Sequence, residues 1–280
     1  MVMDEVGLGK RLQRVRRQAG LTQQELCSKA NISYSTLAKI ERGAIKAPSI
    51  FTIQSIAGAV GVGLDELLGL HTVSHQSDKR TTRSGVKFIY FDLNDCLVRL
   101  HTIAFTQLAQ DSGQPVDIVE SVYWKYNEAV NKGEISLDEL NTVWAQRLGI
   151  MVDWKSYYLR AVDPMPGMAE LLAEVAQYYY VGILSNTNEG FIDSLMAQGT
   201  IPKLAYNAIV DSSVEHAIKP EPRIYEVAEA KASLPPSELL LVDDSRPNLV
   251  AAEKLGWHTL WFDAYNPEES IQAIRQTLEL

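Results

Sequence analysis

Cysteine is scarce in this 280-residue chain: Cys27 and Cys96 are the only two, far apart and without metal-ligand spacing. No disulfide framework follows from such a pair, and a reducing compartment suits it. Long apolar runs are missing as well, so no stretch has the length that a bilayer-spanning helix needs. The N-terminus lacks the apolar segment of a signal peptide. A soluble, cytoplasmic protein with no membrane partner is therefore the expectation. The apolar share, 46%, is ordinary and allows a sizeable core. The length suits one large domain or two of usual size.

Acidic residues outnumber basic ones, for a formal net charge of −9, but the excess is unevenly spread. Residues 1–84 carry 12 Lys and Arg against 7 Asp and Glu, a balance of +5, whereas the remainder carries 14 against 28, a balance of −14. A small basic front on an acidic body predicts two domains with different partners.

In the front domain, residues 5–70, Leu8, Leu12 and Val15 recur at helical spacing among Lys10, Arg11, Arg14, Arg16 and Arg17. This is the pattern of an amphipathic helix with a basic outer face, ended by Gly20. Thr22 with Glu25 three residues on predicts a capping box for a second helix. Ser33 can cap a third that Gly43 closes, Pro48-Ser49 opens a fourth, and 65–68 forms a short fifth. Two short helices joined by a tight turn in a basic all-helical unit make a helix-turn-helix.

Residues 20–49, GLTQQELCSKANISYSTLAKIERGAIKAPS, resemble the Cro/repressor-type helix-turn-helix family along their whole length. The resemblance implies that Gln23 contacts a DNA phosphate and that Tyr34, Ser35 and Lys39 face base edges in the major groove. Arg42 and Lys46 would hold the phosphate backbone, and Thr36 either. It also implies a homodimer on an inverted-repeat operator of double-stranded DNA. Cys27 stands where the family has a small apolar residue, so packing is its expected role.

Residues 71–86 are polar and Ser/Thr-rich, which predicts a solvated connector. His71 and His75 sit four apart but have no third ligand nearby.

Beyond Val86 a short apolar run, Phe88-Ile89-Tyr90-Phe91, suits a buried parallel strand that delivers Asp92 to its C-terminal end. Open α/β sheets bind ligands at that edge. Further strand-like runs cover 179–184, 208–210, 239–242 and 259–262, with helical segments between them, which predicts a doubly wound parallel sheet. Residues 100–165 have a mainly helical pattern and would form a small cap inserted after the first strand. Ser185-Asn186, Lys219 and Asp243-Asp244 then follow successive strands. Asp92, Asp243 and Asp244 make a hard-oxygen site suited to Mg2+, and Ser185 and Lys219 suit phosphoryl oxygens. Singly, Ser185 or Asp244 reads equally as a helix cap and Lys219 as a surface charge.

The motifs FDLNDCL, ILSNTN, IKPEPRIY and LVDDSRPN resemble the haloacid dehalogenase superfamily of hydrolases over essentially residues 87–270. The resemblance implies a Rossmann-like domain over 87–280. Asp92 would be the nucleophile that becomes an aspartyl-phosphate, with Ser185, Asn186 and Lys219 around the phosphoryl group. Asp243 would complete the magnesium site together with the backbone carbonyl of Asn94, and Asp244 would orient it. One position departs from the phosphatase pattern. The general acid and base two residues after the nucleophile is here Asn94, whose amide cannot transfer a proton. The leading expectation is a DNA-binding regulator whose second domain senses a phosphorylated metabolite and turns it over slowly or not at all. An active phosphatase with an accessory DNA-binding domain is the alternative, and a carbon–halogen hydrolase is disfavoured. Tyr123, Trp124 and Tyr126 in the cap read either as substrate selectors or as helix core.

Overall fold

The structure, a computed structural model, describes residues 5–45, 48–62, 64, 67, 79–100 and 102–280. The chain divides into two compact units, Met1–Ser77 and Asp78–Leu280.

The first unit has four helices among its described residues: α1 (Glu5–Gln18), α2 (Gln23–Ala30), α3 (Tyr34–Glu41) and α4 (Ile50–Val60). Leu64 and Leu67 add helical backbone, and the rest of the expected fifth helix lies outside the described residues. Local chemistry sets the boundaries. The Thr22 side chain accepts from Glu25 N and Glu25 returns to Thr22 N, a complete capping box at the start of α2. Asn31, left-handed at φ 52°, ends α2, and Ser33 caps α3 through Thr36 N. Leu12, Leu26, Leu37, Ile40, Ile53 and Ile56 form the buried core. At Gly9 a Cβ would lie 2.5 Å from the Ile40 carbonyl oxygen, so only glycine lets α1 come this near α3.

The second unit is built on a five-stranded parallel sheet in the order β5-β4-β1-β6-β7. Its strands are β1 (Phe88–Phe91), β4 (Tyr180–Ser185), β5 (Ala208–Asp211), β6 (Leu239–Asp243) and β7 (His258–Trp261). Side chains alternate between two apolar layers, as a pleated strand requires. Ile89, Phe91, Val181, Ile183, Leu240 and Val242 join one core, and Phe88, Tyr90, Tyr180, Leu184, Leu239 and Leu241 join the other. A two-stranded antiparallel ribbon, β2 (Val98–Leu100) with β3 (Val162–Pro164), was not foreseen. It carries the cap, which comprises α5 (Ile103–Ser112), α6 (Val116–Asn131), α7 (Leu137–Leu148) and α8 (Trp154–Ala161). The helices that cover the sheet are α9 (Met168–Tyr178), α10 (Phe191–Gln198), α11 (Ser212–Glu215), α12 (Pro222–Ala232), α13 (Arg246–Lys254) and α14 (Pro267–Thr277).

The expected solvated connector is shorter than the sequence suggests. Arg80 N donates to Tyr178 O at 2.7 Å, the Arg80 guanidinium lies 3.9 Å from the Tyr178 ring centre, and Thr82 is buried. Backbone bonds and a cation–π contact dock this polar stretch on α9 although it has few apolar side chains. His71 and His75 lie outside the described residues.

Candidate functional site

Parallel pairing brings the chemistry-bearing residues to one edge of the sheet. Asp92 follows β1 and donates its backbone N–H to Val242 O at 2.9 Å, which keeps it in register with β6. Asp243 ends β6 and Ser185 ends β4. Lys219 lies in the loop between α11 and α12. Its Nζ donates to Asp92 Oδ1 at 2.7 Å and to Asp243 Oδ2 at 2.5 Å. All of these groups are deeply enclosed, with Asp92 7% exposed, Lys219 3%, and Ser185 and Asp243 0%. Lys219 is therefore not a surface charge.

Each charge is held by specific partners. Asn186 forms a two-point clamp on the Lys219 backbone: Lys219 N donates to Asn186 Oδ1 at 2.7 Å, and Asn186 Nδ2 donates to Lys219 O at 2.8 Å. The Asn186 amide, expected beside the substrate, is thus spent on positioning the lysine. Asp243 Oδ1 accepts from Ser245 N at 2.8 Å and from Asn248 Nδ2 at 3.0 Å. Asn248 closes the LVDDSRPN motif, but nothing in the sequence signals this contact. Among the described residues the Ser185 hydroxyl is buried without a hydrogen-bond partner. It caps no helix, and such an orphan is costly unless something binds there.

Burial lifts the Asp92 carboxyl to about 6; Lys219 opposes the shift and Asp243 adds to it. Asp92 is accordingly ionised at neutral pH. Burial disfavours the Lys219 charge, yet Asp243 and Asp92 outweigh it and raise the pKa, so the ammonium persists. Asp244, half-buried, is pushed up to about 7 by burial and by Asp92, Asp243 and Asp95.

Asp92, Cys96 and Asp244 offer ligand atoms within 4.8 Å of one another. Burial and the surrounding carboxylates raise the Cys96 thiol well above its usual range, which leaves the two carboxylates as the charged oxygen donors. That donor set fits a hard cation such as Mg2+ better than a soft one. Asp244, expected in the hard-oxygen site, lies beside Asp92, while the oxygens of Asp243 are engaged by Lys219, Asn248 and Ser245.

Asn94 is half-buried and accepts a hydrogen bond from the Tyr158 hydroxyl at 2.6 Å on its Oδ1. Tyr158 belongs to α8 in the cap and is buried against Phe191, with ring centres 4.8 Å apart. It was missed in the sequence because an aromatic in an amphipathic helix gives no sign of reaching 64 residues back. Asp95 adopts a left-handed backbone, φ 56°, and lines a depression of about 670 Å³ that includes Arg99, Asp244, Trp261 and Tyr265. Tyr123 packs into the cap's aromatic cluster with Phe105, Trp144 and Trp154, whereas Trp124 is exposed.

The cap also meets the sheet side at the end of α6. Asn188 Nδ2 donates to Asn131 Oδ1 at 2.7 Å, Ser212 Oγ donates to Asn131 O at 2.6 Å, and Lys132 pairs with Glu221 at 2.7 Å. A Cβ on Gly133 would lie 2.3 Å from Ser213 O, so this junction closes only around glycine.

In the first unit, Tyr34, Ser35, Lys39 and Arg42 are exposed along and just after α3. Thr36 is half-buried, and its hydroxyl lies 2.8 Å from Ser33 Oγ at the helix cap. Gln23 donates to Glu41 Oε2 at 2.7 Å, in a network where Arg16 donates to both carboxylate oxygens of Glu41. Gln23 thus buttresses α3 from α2. Lys46 lies outside the described residues. Cys27 is half-buried against the core, and burial raises its thiol.

Comparison with known proteins matches both units. A family model described as haloacid dehalogenase-like hydrolase covers residues 86–256, and one described as helix-turn-helix covers residues 12–67. The chain belongs to the haloacid dehalogenase-like hydrolase family, with a helix-turn-helix domain in front. Among curated relatives, the HTH-type transcriptional regulator ImmR of Bacillus subtilis is 36% identical over 90 residues, covering 32% of this chain and 70% of the regulator. The immunity repressor of Bacillus phage phi105 is 39% identical over 66 residues, covering 24% of this chain and 45% of the repressor. Acyl-CoA dehydrogenase family member 10 of Mus musculus is 27% identical over 157 residues, covering 52% of this chain but 14% of the mouse protein. The chain therefore spans less than half of the phage and mouse relatives.

Among solved structures, a HAD-like family hydrolase from Porphyromonas gingivalis aligns with TM-score 0.59 at 23% identity, over 70% of this chain and 98% of that one. A HAD family enzyme from Bacteroides thetaiotaomicron, crystallised as an Asp-to-Ala mutant with magnesium and inorganic phosphate, aligns with TM-score 0.55 at 22% identity, over 64% of this chain and 95% of that one. At such identities the likeness is one of fold.

Proposed function

We propose that this protein is a DNA-binding transcriptional regulator whose hydrolase-family unit binds a phosphorylated small metabolite at Asp92 with Mg2+ and turns it over slowly at most. One observation carries the reading: a complete charged crevice, Asp92–Lys219–Asp243, has an amide at position 94 held by a buried tyrosine. General acid–base catalysis contributes about 10²–10⁴-fold, and Asn94 withholds it.

Asp92 and Asp244, with Asp243 behind them and the backbone carbonyl of Asn94, would hold the cation. Magnesium, when bound, supplies positive charge that screens Asp92 from an incoming phosphate. The Lys219 ammonium keeps Asp92 ionised and offers its remaining hydrogen to a phosphoryl oxygen. The unpaired Ser185 hydroxyl is a second donor for that group, and Asn186 fixes the lysine loop so that no reorganisation is needed on binding. In the first unit, Tyr34, Ser35 and Lys39 read base edges, and Arg42 and Lys46 hold phosphates, as a homodimer on an inverted repeat.

The test uses the full chain. Selection from a random duplex pool should yield an inverted repeat, and calorimetry should detect inorganic phosphate binding that needs Mg2+ and is lost in Asp92→Asn. No enriched duplex, or phosphate binding indifferent to Asp92, contradicts the reading.

A further inference from the structure

The hydrogen bond between the cap and Asn94 bears on which phosphoryl donors this site can use, granted the reading of Asp92 as the phosphoryl-binding carboxylate. Tyr158 donates to Asn94 Oδ1 at 2.6 Å, which engages one of the two lone pairs on that oxygen and leaves the amide N–H groups as donors. Such a group binds phosphoryl oxygens but neither protonates a leaving alkoxide nor takes a proton from water. Lys219 is engaged by two carboxylates, which leaves it a poor proton source.

We propose that the site takes its phosphoryl group from acyl phosphates and keeps it as a long-lived aspartyl-phosphate on Asp92. In this step Asp92 Oδ bonds to phosphorus as the bond from phosphorus to the acyl oxygen breaks. The electron pair leaves with that oxygen as a carboxylate, so no proton moves and charge is conserved. A carboxylate is the conjugate base of an acid of pKa about 4 and departs unassisted. The alkoxide of a sugar phosphate is far more basic and does not. The return step, attack of water on the new acyl phosphate, needs a base that Asn94 cannot supply, so the adduct persists. Position 94 thereby selects the donor by its leaving group as well as slowing hydrolysis.

The experiment incubates the full chain and Mg2+ with acetyl phosphate or with glycerol 3-phosphate and follows intact mass. Acetyl phosphate should add one phosphoryl group, removable by hydroxylamine and mapping to the peptide that contains Asp92. Glycerol 3-phosphate should add none. Asn94→Asp should shorten the adduct's lifetime by about 100-fold or more and open the site to glycerol 3-phosphate. Equal labelling by both donors, or a native adduct that decays as fast as that of Asn94→Asp, overturns the proposal. Should Asp92→Asn fail to fold, peptide mapping in the native chain still decides where the group sits. Calorimetry with inorganic phosphate on the same preparation separates two failures. Asp92-dependent phosphate binding without an adduct refutes the donor class and leaves the binding reading intact; no phosphate binding refutes both.

Discussion

The two units place their candidate functional side chains in opposite ways. On α3 of the first unit and just after it, Tyr34 is 54% exposed, and Lys39 and Arg42 are exposed as well. In the second unit Asp92, Lys219 and Asp243 are buried, and Lys219 pairs with both carboxylates. A duplex is a large, hydrated polyanion that comes to the protein, so cations must meet it at the surface. A phosphoryl group gains more from fixed dipoles and charges in a site that excludes water. Among the described residues, each unit nonetheless has a buried network that holds its candidate site, Arg16–Glu41–Gln23 behind α3 and Lys219–Asn186 beside Asp92.

Breaking the denser network should have the largest effect. Lys219→Met leaves two buried carboxylates facing each other, and urea unfolding of the second unit should show a loss of about 3–5 kcal/mol. A smaller loss would mean that water already reaches the crevice. Arg16→Met should destabilise only the first unit, by about 3 kcal/mol, because it strands Glu41. Its melting transition should fall while that of the second unit stays put.

Arg42→Ala removes an exposed cation and should leave both transitions unchanged. Affinity for the selected duplex should drop about tenfold and the salt-dependence slope by about 1, since one phosphate contact disappears. The smallest effect concerns Asp244. Its folded pKa, about 7, lies above the ordinary 3.8, so the folded chain holds the proton more tightly than the unfolded chain. Stability from this group therefore falls as pH rises from about 4 to about 7. Without divalent cations, Asp244→Asn should raise the unfolding free energy at pH 8 by about 1 kcal/mol, by less at pH 5, and not at all below about pH 4. Added Mg2+ should stabilise the native chain at pH 8 but not the variant.

Much of the fold was legible because its signals are local. Thr22 with Glu25 and Ser33 mark helix starts by side-chain chemistry, and the apolar run 88–91 marks a strand buried on both faces. The β2–β3 ribbon escaped because three-residue strands carry no periodicity. At the site, residue types at strand ends drew attention to Asp92, Ser185, Lys219, Asp243 and Asp244. Their division of labour was hidden, since the Asn186 clamp and the Tyr158 bond join residues far apart in sequence. The docked stretch 79–86 was hidden for a related reason: backbone hydrogen bonds, which composition does not report, hold it down.

In the proposed function, Asn94 is the residue that turns a hydrolase crevice into one that holds its ligand. The most direct measurement is steady-state phosphate release from a panel of sugar and nucleotide phosphates with Mg2+, comparing the native chain, Asn94→Asp and Asp92→Asn. Slow or absent release by the native chain, a gain of about 10²-fold or more in Asn94→Asp, and none in Asp92→Asn are predicted. Rapid turnover by the native chain that Asn94→Asp does not improve would contradict it.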